Sequence, residues 1–365
     1  MRIGIPTEIK NGEYRVAIMP AGVDALAAHG HTVLVQAGAG LGAGVRDEDF
    51  AAAGAIIVPD AADVWHDAEL VTKVKEPVAA EYGYLREDLA LFAYLHLAAD
   101  RPLTEALCAA GTTAIAYETV QAGDRSLPLL TPMSEIAGRL SVIVGAQTLM
   151  RPAGGRGTLV GGVAGVPRAE VVVIGGGVAG ESAIVNALGL GAGVTVIDVS
   201  LPRLRELEKR YGTALQTRVS SRYEIAEQVR RADLVVGAVL VPGAAAPRLV
   251  ADDTVAAMKP GSVLVDIAID QGGCFEGSRP TTHDAPTFAV HDSLYYCVAN
   301  MPGAVPVTST RSLTGATLPY LLALADRGVD RALHADPALA AGLNTRAGAI
   351  VNAAVAAAFG LPADG

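Results

Sequence analysis

Aromatic side chains are scarce in this chain. Phenylalanine, tyrosine and tryptophan together make up 4% of its 365 residues, with a single tryptophan. Since 51% of the residues are still hydrophobic, the cores must be built from Ala, Val, Leu and Ile, which suits parallel sheets covered by helices. Cysteine is nearly absent: Cys108, Cys274 and Cys297 form neither a CxxC pair nor an even set, which argues against a disulfide framework and for reduced thiols in a cytoplasmic setting. No His/Cys cluster has zinc spacing, so no metal is expected. Positive charge is also short, with 28 Lys and Arg against 38 Asp and Glu and a net charge of −10. Nucleic-acid binding needs a basic face, and none is present. Long apolar runs are missing. The longest candidate, 347–362, is broken by Asn352 and Gly360 and is short for a bilayer, so no membrane partner is expected. The chain opens as a strand, Met1-Arg2-Ile3-Gly4-Ile5-Pro6, with no signal or transit pattern. Its length accommodates two domains.

What is abundant is glycine in particular places. Val171-Val172-Val173-Ile174 reads as a buried parallel strand, and Gly175-Gly176-Gly177-Val178-Ala179-Gly180 follows it, leading into an Ala-rich helix through Leu190. Gly175 permits the tight turn, Gly177 lets the backbone approach a pyrophosphate, and Gly180 lets helix and strand pack closely. The helix N-terminus offers free N–H groups and the positive end of its dipole to phosphate. A second strand, Val194–Ile197, ends at Asp198, where an acid takes ribose hydroxyls. This combination predicts a dinucleotide site. A glycine turn with no ligand and a plain helix N-cap at Asp198 are the alternatives. Asp198 favours NAD over NADP, because a carboxylate at about 4 Å from a 2′-phosphate costs roughly 4 kcal/mol at an effective dielectric of about 20. Arg203 and Arg205 lie downstream, where they would soften that repulsion.

The rest of the chain alternates in βαβ rhythm. Expected strands are 2–5, 32–35, 55–58, 70–74, 91–94 and 113–117, then 171–174, 194–197, 234–236, 263–267 and 295–298. A helix is expected around 134–149, and a helix-rich stretch after Pro306. Right-handed crossovers then give an α/β fold of two doubly wound, parallel-sheet, Rossmann-like domains joined by long helices. The Gly-rich stretch 151–165 reads as either an interface hairpin or a mobile loop.

Ligands of open parallel sheets bind beyond the carboxyl ends of the strands. The polar residues there are Glu8, Lys10 and Arg15 after the first strand, Lys75 (with Lys73 two residues earlier) after 70–74, His96 after 91–94, Asp270 after 263–267 and Asn300 after the last. Cations for a carboxylate and an oxo group, an imidazole and a carboxylate are the equipment for α-keto or α-amino acid chemistry with hydride passed to a nicotinamide. Each has a plainer reading: a surface arginine, a solvated Lys75–Glu76 pair, a half-buried histidine, a turn aspartate.

Several longer strings are more specific. Arg2-Ile-Gly-Ile-Pro-Thr-Glu-Ile-Lys-Asn with Tyr14-Arg-Val-Ala, Val74-Lys-Glu-Pro, Leu91-Phe-Ala-Tyr-Leu-His-Leu-Ala, Pro132-Met-Ser-Glu-Ile-Ala-Gly-Arg, Asp266-Ile-Ala-Ile-Asp-Gln-Gly-Gly-Cys and Val298-Ala-Asn-Met-Pro-Gly-Ala-Val-Pro-Val-Thr-Ser-Thr together resemble the alanine dehydrogenase family along nearly the whole chain. The resemblance implies reversible, NAD-dependent oxidative deamination of L-alanine to pyruvate and ammonium in a homohexamer; because substrates differing by a methyl group differ by only about 1–3 kcal/mol in a pocket, glycine/glyoxylate is expected as a side activity. It implies a discontinuous substrate domain, 1–128 with 307–365, and a central NAD domain, 129–306. It assigns Arg15 and Lys75 to the substrate carboxylate and oxo group, and His96 and Asp270 to proton transfer. Ser134 would meet the pyrophosphate. Val178, Ala179, Arg203, Val239, Leu240, Ile267, Asp270, Asn300 and Met301 would join Gly175, Gly177, Gly180 and Asp198 around the coenzyme. Two neighbouring readings are the NAD(H)-binding subunit of a proton-translocating transhydrogenase and a saccharopine-forming dehydrogenase.

Overall fold

The computed structural model describes residues 1–239 and 246–361. The chain divides into two compact units, Met1–Met133 with Gly303–Gly365, and Ser134–Pro302. The first unit starts with β1 (Arg2–Ile5), β2 (Thr32–Gln36), β3 (Ile56–Val58), β4 (Leu70–Thr72), β5 (Ala90–Ala93) and β6 (Thr113–Ala116). Helices separate most of them. Pro20–Ala28 starts on proline and is capped by His29 and followed by Gly30, whose φ of +81° a side chain would resist. The second unit holds β7 (Glu170–Ile174), β8 (Gly193–Asp198), β9 (Leu215–Val219), β10 (Leu234–Gly237), β11 (Val263–Asp266), β12 (Thr287–Val290) and β13 (Ser293–Tyr296). After the helix Pro306–Arg327 the chain adds β14 (Leu343–Arg346) and β15 (Ala349–Ile350) to the first sheet.

The first sheet is eight-stranded, in the order β15-β14-β6-β5-β4-β1-β2-β3, and the second seven-stranded, β12-β13-β11-β10-β7-β8-β9. Both are parallel through their middles, and both are doubly wound. Neither is wholly parallel: β14 runs antiparallel to β6, β15 to β14, and β12 to β13. The expected strand set omits β9, β12, β14 and β15, for a physical reason. A strand covered on both faces writes a continuous apolar run, as β7 does, whereas the edge strands β9, β12 and β15 need not, and β14, between β15 and β6, is buried through polar residues. Only Leu215 of β9 is buried. In β14 the buried residues are Asn344 and Thr345, whose side chains bond Gly342 O and Thr119, and Thr112 O. The C-terminal stretch is therefore less helical than expected.

Side-chain alternation divides the second unit's core into two layers. Val171, Val173, Val194, Val196, Val236 and Val265 face one layer, and Val172, Ile174, Ile197, Val235 and Leu264 the other. The parallel strands of each sheet point their carboxyl ends the same way, and those ends carry the residues described next.

Candidate functional site

In the first unit, Arg15, Lys75 and His96 follow β1, β4 and β5, and a carboxylate stands behind each: Glu13 and Glu8, both buried, and the half-buried Glu118. Arg15 is 2% exposed. Its Nε lies 2.7 Å from Glu13 Oε1 and its Nη2 2.5 Å from Glu13 Oε2, while Nη1 approaches Met133 Sδ at 2.9 Å. The guanidinium fork thus closes on Glu13, not on open space. Burial works against the charge, and the Glu13 pair outweighs it, so the Arg15 pKa lies above its ordinary value.

Lys73 and Lys75 are not a matched pair. β4 ends at Thr72, and Lys73 is buried with its Nζ 2.5 Å from Glu81 Oε1 and 3.6 Å from Glu8 Oε2. Glu8 Oε1 accepts the Val74 N–H at 2.6 Å, and its Oε2 the Lys75 N–H at 3.4 Å, so one carboxylate shapes the backbone that presents Lys75. Burial pushes the Glu8 carboxyl up to about 7, against the pull of Lys73 and the Val74 N–H. Lys75 Nζ sits 3.5 Å from His96 Nε2. Glu76 pairs with Lys10; burial raises its pKa, but Lys75 and Lys10 outweigh it and hold it low. Lys75 and Glu76 are both buried, not a solvated surface pair.

His96 has φ 50° and ψ 36°, a left-handed backbone that a residue with a Cβ adopts at a cost. Glu118 holds it there: Oε1 accepts the His96 N–H at 2.6 Å, and both carboxylate oxygens lie 3.2 Å from the Leu95 N–H. The same Oε1 lies 4.0 Å from His96 Nδ1. The ring stacks on Tyr94 with centroids 6.1 Å apart and planes 9° off parallel, and Tyr94 Oη donates to Leu129 O at 2.5 Å. The Lys75 ammonium thus faces the Nε2 side of the ring and the Glu118 carboxylate the Nδ1 side.

In the second unit, Gly175 has φ +97°, and a Cβ there would lie 2.7 Å from Ala238 O. A Cβ on Gly180 would run into Gly175 O, while one on Gly177 would meet nothing within 4 Å. Helix Val178–Gly189 starts at Gly177 with no side-chain cap, leaving its first N–H groups to whatever occupies the turn. Asp198 accepts the Gly176 N–H at 2.6 Å and the Ser200 N–H at 2.7 Å. It is not a helix cap: Ser200 caps Leu201–Tyr211. Arg203 donates from Nε to Gly176 O at 2.7 Å. Ser134, Ala179 and Val239 are half-buried, and Val178 is exposed; Leu240 lies outside the described residues.

Asp270 and Ile267 lie on a single-turn segment, Ile267–Gln271, after β11. The fully buried Asp266 ties this loop at both ends, accepting the Ala268 N–H at 3.1 Å, the Cys274 N–H at 2.9 Å and the Ser278 hydroxyl at 2.6 Å. Asp270 is exposed, and its Oδ2 lies 3.4 Å from the N–H of Asn300, a residue with φ 57°. Met301 is buried against the core. The structure therefore groups Arg15, Lys75 and His96 on one sheet edge, and the glycine turn, Asp198, Arg203, Ile267, Asp270, Asn300 and Met301 on the other. Glu13, Glu118 and Asp266 were not singled out from sequence. Their only signal is an acid beside a strand end or turn.

Residues 4–137 match the alanine dehydrogenase/PNT N-terminal domain and residues 141–353 the alanine dehydrogenase/PNT C-terminal domain. The chain belongs to the alanine dehydrogenase/PNT family. Within that family it is 61% identical over 362 residues to alanine dehydrogenase of Mycobacterium tuberculosis, an alignment covering 99% of this chain and 98% of that one. A solved structure titled L-alanine dehydrogenase superposes with a TM-score of 0.94 at 52% identity, covering 99% of each chain. Transhydrogenase from Sinorhizobium meliloti superposes with a TM-score of 0.81 at 28% identity, covering 96% of this chain and 99% of that one. Among the described residues no helix is long and apolar enough to cross a membrane.

Proposed function

We propose that the chain is an NAD-dependent L-alanine dehydrogenase, catalysing the reversible oxidative deamination of L-alanine to pyruvate and ammonium. The observation that carries this reading is the 61% identity to an alanine dehydrogenase across 99% of the chain. It works as a cytoplasmic homohexamer, its discontinuous first unit serving the substrate and its second the coenzyme, with glycine/glyoxylate as a side reaction.

The glycine turn fits a dinucleotide: Gly177 opens on free space, the helix behind it has no side-chain cap, and Asp198 stands at the ribose position. Gly175, Gly177, Val178, Ala179, Gly180 and Ser134 would hold the pyrophosphate, with Asp198 on the ribose and Val239, Leu240, Ile267, Asn300 and Met301 toward the nicotinamide. When bound, NAD supplies the hydride acceptor. Lys75 and Arg15 hold the substrate carboxylate and the developing oxo group, neutralising charge before chemistry. Asp270 takes a proton from the attacking water. His96 takes the carbinolamine hydroxyl proton as the C–N bond breaks, and the proton held by Asp270 goes to the departing nitrogen.

The test is NADH formation with NAD and L-alanine at alkaline pH, beside glycine and a no-substrate blank, and NADH consumption with L-lysine plus 2-oxoglutarate. Strong alanine-dependent turnover, reversed by pyruvate plus ammonium, is expected. The structural likeness to a transhydrogenase favours the second reading, a coenzyme-binding subunit of such a pump. NADH binding with no amino-acid-dependent turnover would install it in place of the first.

A further inference from the structure

Arg203 lies against the glycine turn, and all three of its guanidinium nitrogens are engaged. Its Nε donates to Gly176 O at 2.7 Å, while the Gly176 N–H donates to Asp198 Oδ2 at 2.6 Å, so Arg203 and Asp198 flank the same residue of the glycine turn. The remaining guanidinium nitrogens pair with acids: Nη2 with Glu181 Oε2, and Nη1 with Glu206 Oε2 at 2.7 Å. Glu181 projects from the first turn of the helix Val178–Gly189 and is the hub of the cluster. Its other oxygen pairs with Arg210 Nη1 and accepts the Tyr211 hydroxyl at 2.7 Å. The Glu181 side chain is 16% exposed and that of Arg203 22%, so neither pair is a fully solvated one.

We propose that Glu181 is a determinant of coenzyme specificity, acting by sequestering Arg203 so that the corner beside Asp198 rejects a nucleotide bearing a 2′-phosphate. The proposal rests on the NAD reading of this site and goes beyond it. Asp198 supplies repulsion, but a guanidinium alongside would cancel it, because arginine pairs readily with phosphate. Rejection thus needs two parts, the acid that repels and the acid that keeps the cation occupied. The linked charges, Arg203 and Arg210 against Asp198, Glu181 and Glu206, leave one net negative charge. Glutamine at 181 brings that to zero and frees one edge of Arg203, yet it keeps an amide oxygen for Tyr211.

The test uses the full chain and measures equilibrium binding of 2′,5′-ADP against 5′-ADP by calorimetry, with kcat/KM for NADP and NAD beside it. E181Q should tighten 2′,5′-ADP about tenfold relative to 5′-ADP, the size of one screened unit charge several ångströms away. Adding R203A to E181Q should cancel the gain, and adding D198S should enlarge it. E206Q, which frees the other edge from a half-exposed partner, gives a smaller shift in the same direction and serves if E181Q folds poorly. A ratio unchanged in both E181Q and E206Q, or a gain that survives R203A, would overturn the proposal. Wild-type protein that binds neither 5′-ADP nor NADH would overturn the coenzyme reading itself, and this proposal with it.

Discussion

At the scale of single residues, acids withdrawn from bulk solvent set the candidate chemistry. Glu13 closes on Arg15, Glu8 shapes the turn of Lys75, Glu118 holds His96 and Asp266 ties the loop of Asp270. Glu118→Ala removes the acceptor for two main-chain N–H groups, so it should cost about 1–3 kcal/mol of stability. Turnover should fall about tenfold or more, as expected for a displaced proton-transfer group. Glu118→Gln keeps an acceptor oxygen and should recover most of the stability. Denaturant titration and steady-state kcat decide it; wild-type turnover in both variants would show that the left-handed turn at His96 holds itself. Glu8 gives a pH dependence with a definite sign. Its folded-state pKa of about 7 lies above the usual carboxylate range. The folded protein therefore holds the proton more tightly than the unfolded chain, and this contribution is full below about pH 4 and lost as pH rises through about 7. The loss is on the order of 3 kcal/mol. Glu8→Gln should flatten the fall of stability between about pH 4 and 7, measured by urea midpoints across that range. Arg15, Lys75, His96 and Asp270 could be picked from sequence because each follows a readable strand. Of their carboxylate partners Glu8 is readable in the same way, but Glu13, Glu118 and Asp266 are not, since an acid at a strand end or turn is ordinarily solvated and its burial depends on how the rest of the chain packs.

At the scale of the element, the glycine turn separates folding from binding. A methyl group at Gly180 runs into the Gly175 carbonyl that precedes the helix, whereas one at Gly177 meets no protein atom within 4 Å. Gly180→Ala should therefore lower stability, by about 1–3 kcal/mol as an overpacked contact. Gly177→Ala should leave the unfolding midpoint where it is and, on the proposed NAD reading of this turn, weaken NADH binding, read by fluorescence titration. Equal NADH affinity in Gly177→Ala and wild type would mean the pyrophosphate does not approach here. This strand–turn–helix is legible from sequence because its requirements are local: an apolar run, then glycines at the two positions where backbone meets backbone. Strand β14 is not legible, for the converse reason. Asn344 and Thr345 are buried in a strand whose hydrogen-bond partners, Thr119, Gly342 and Thr112, lie mostly more than two hundred residues away in the chain, so no local pattern announces them.

At the scale of the whole molecule, the chain order of the units predicts what each part can do alone. The second unit is continuous in sequence, Ser134–Pro302, with its own core layers on both sheet faces. The first is closed only when the chain returns. Gly342 O accepts the Ala116 N–H at 2.7 Å, Thr310 Oγ1 the Val16 N–H at 3.3 Å, and Asp326 pairs with His29 and His31. A chain ending at Pro302 would lose β14 and leave β6 as an open edge with unpaired N–H and C=O groups, a template for aggregation. Truncation there should abolish alanine turnover and make the first unit prone to aggregate and sensitive to protease, while NADH binding survives in the second. Limited proteolysis with NADH fluorescence on the same sample tests both halves of the expectation. Loss of NADH binding together with turnover would mean that the coenzyme unit depends on the first for its fold. Retained alanine turnover would mean that β14 is dispensable, and that the first sheet is complete at β6.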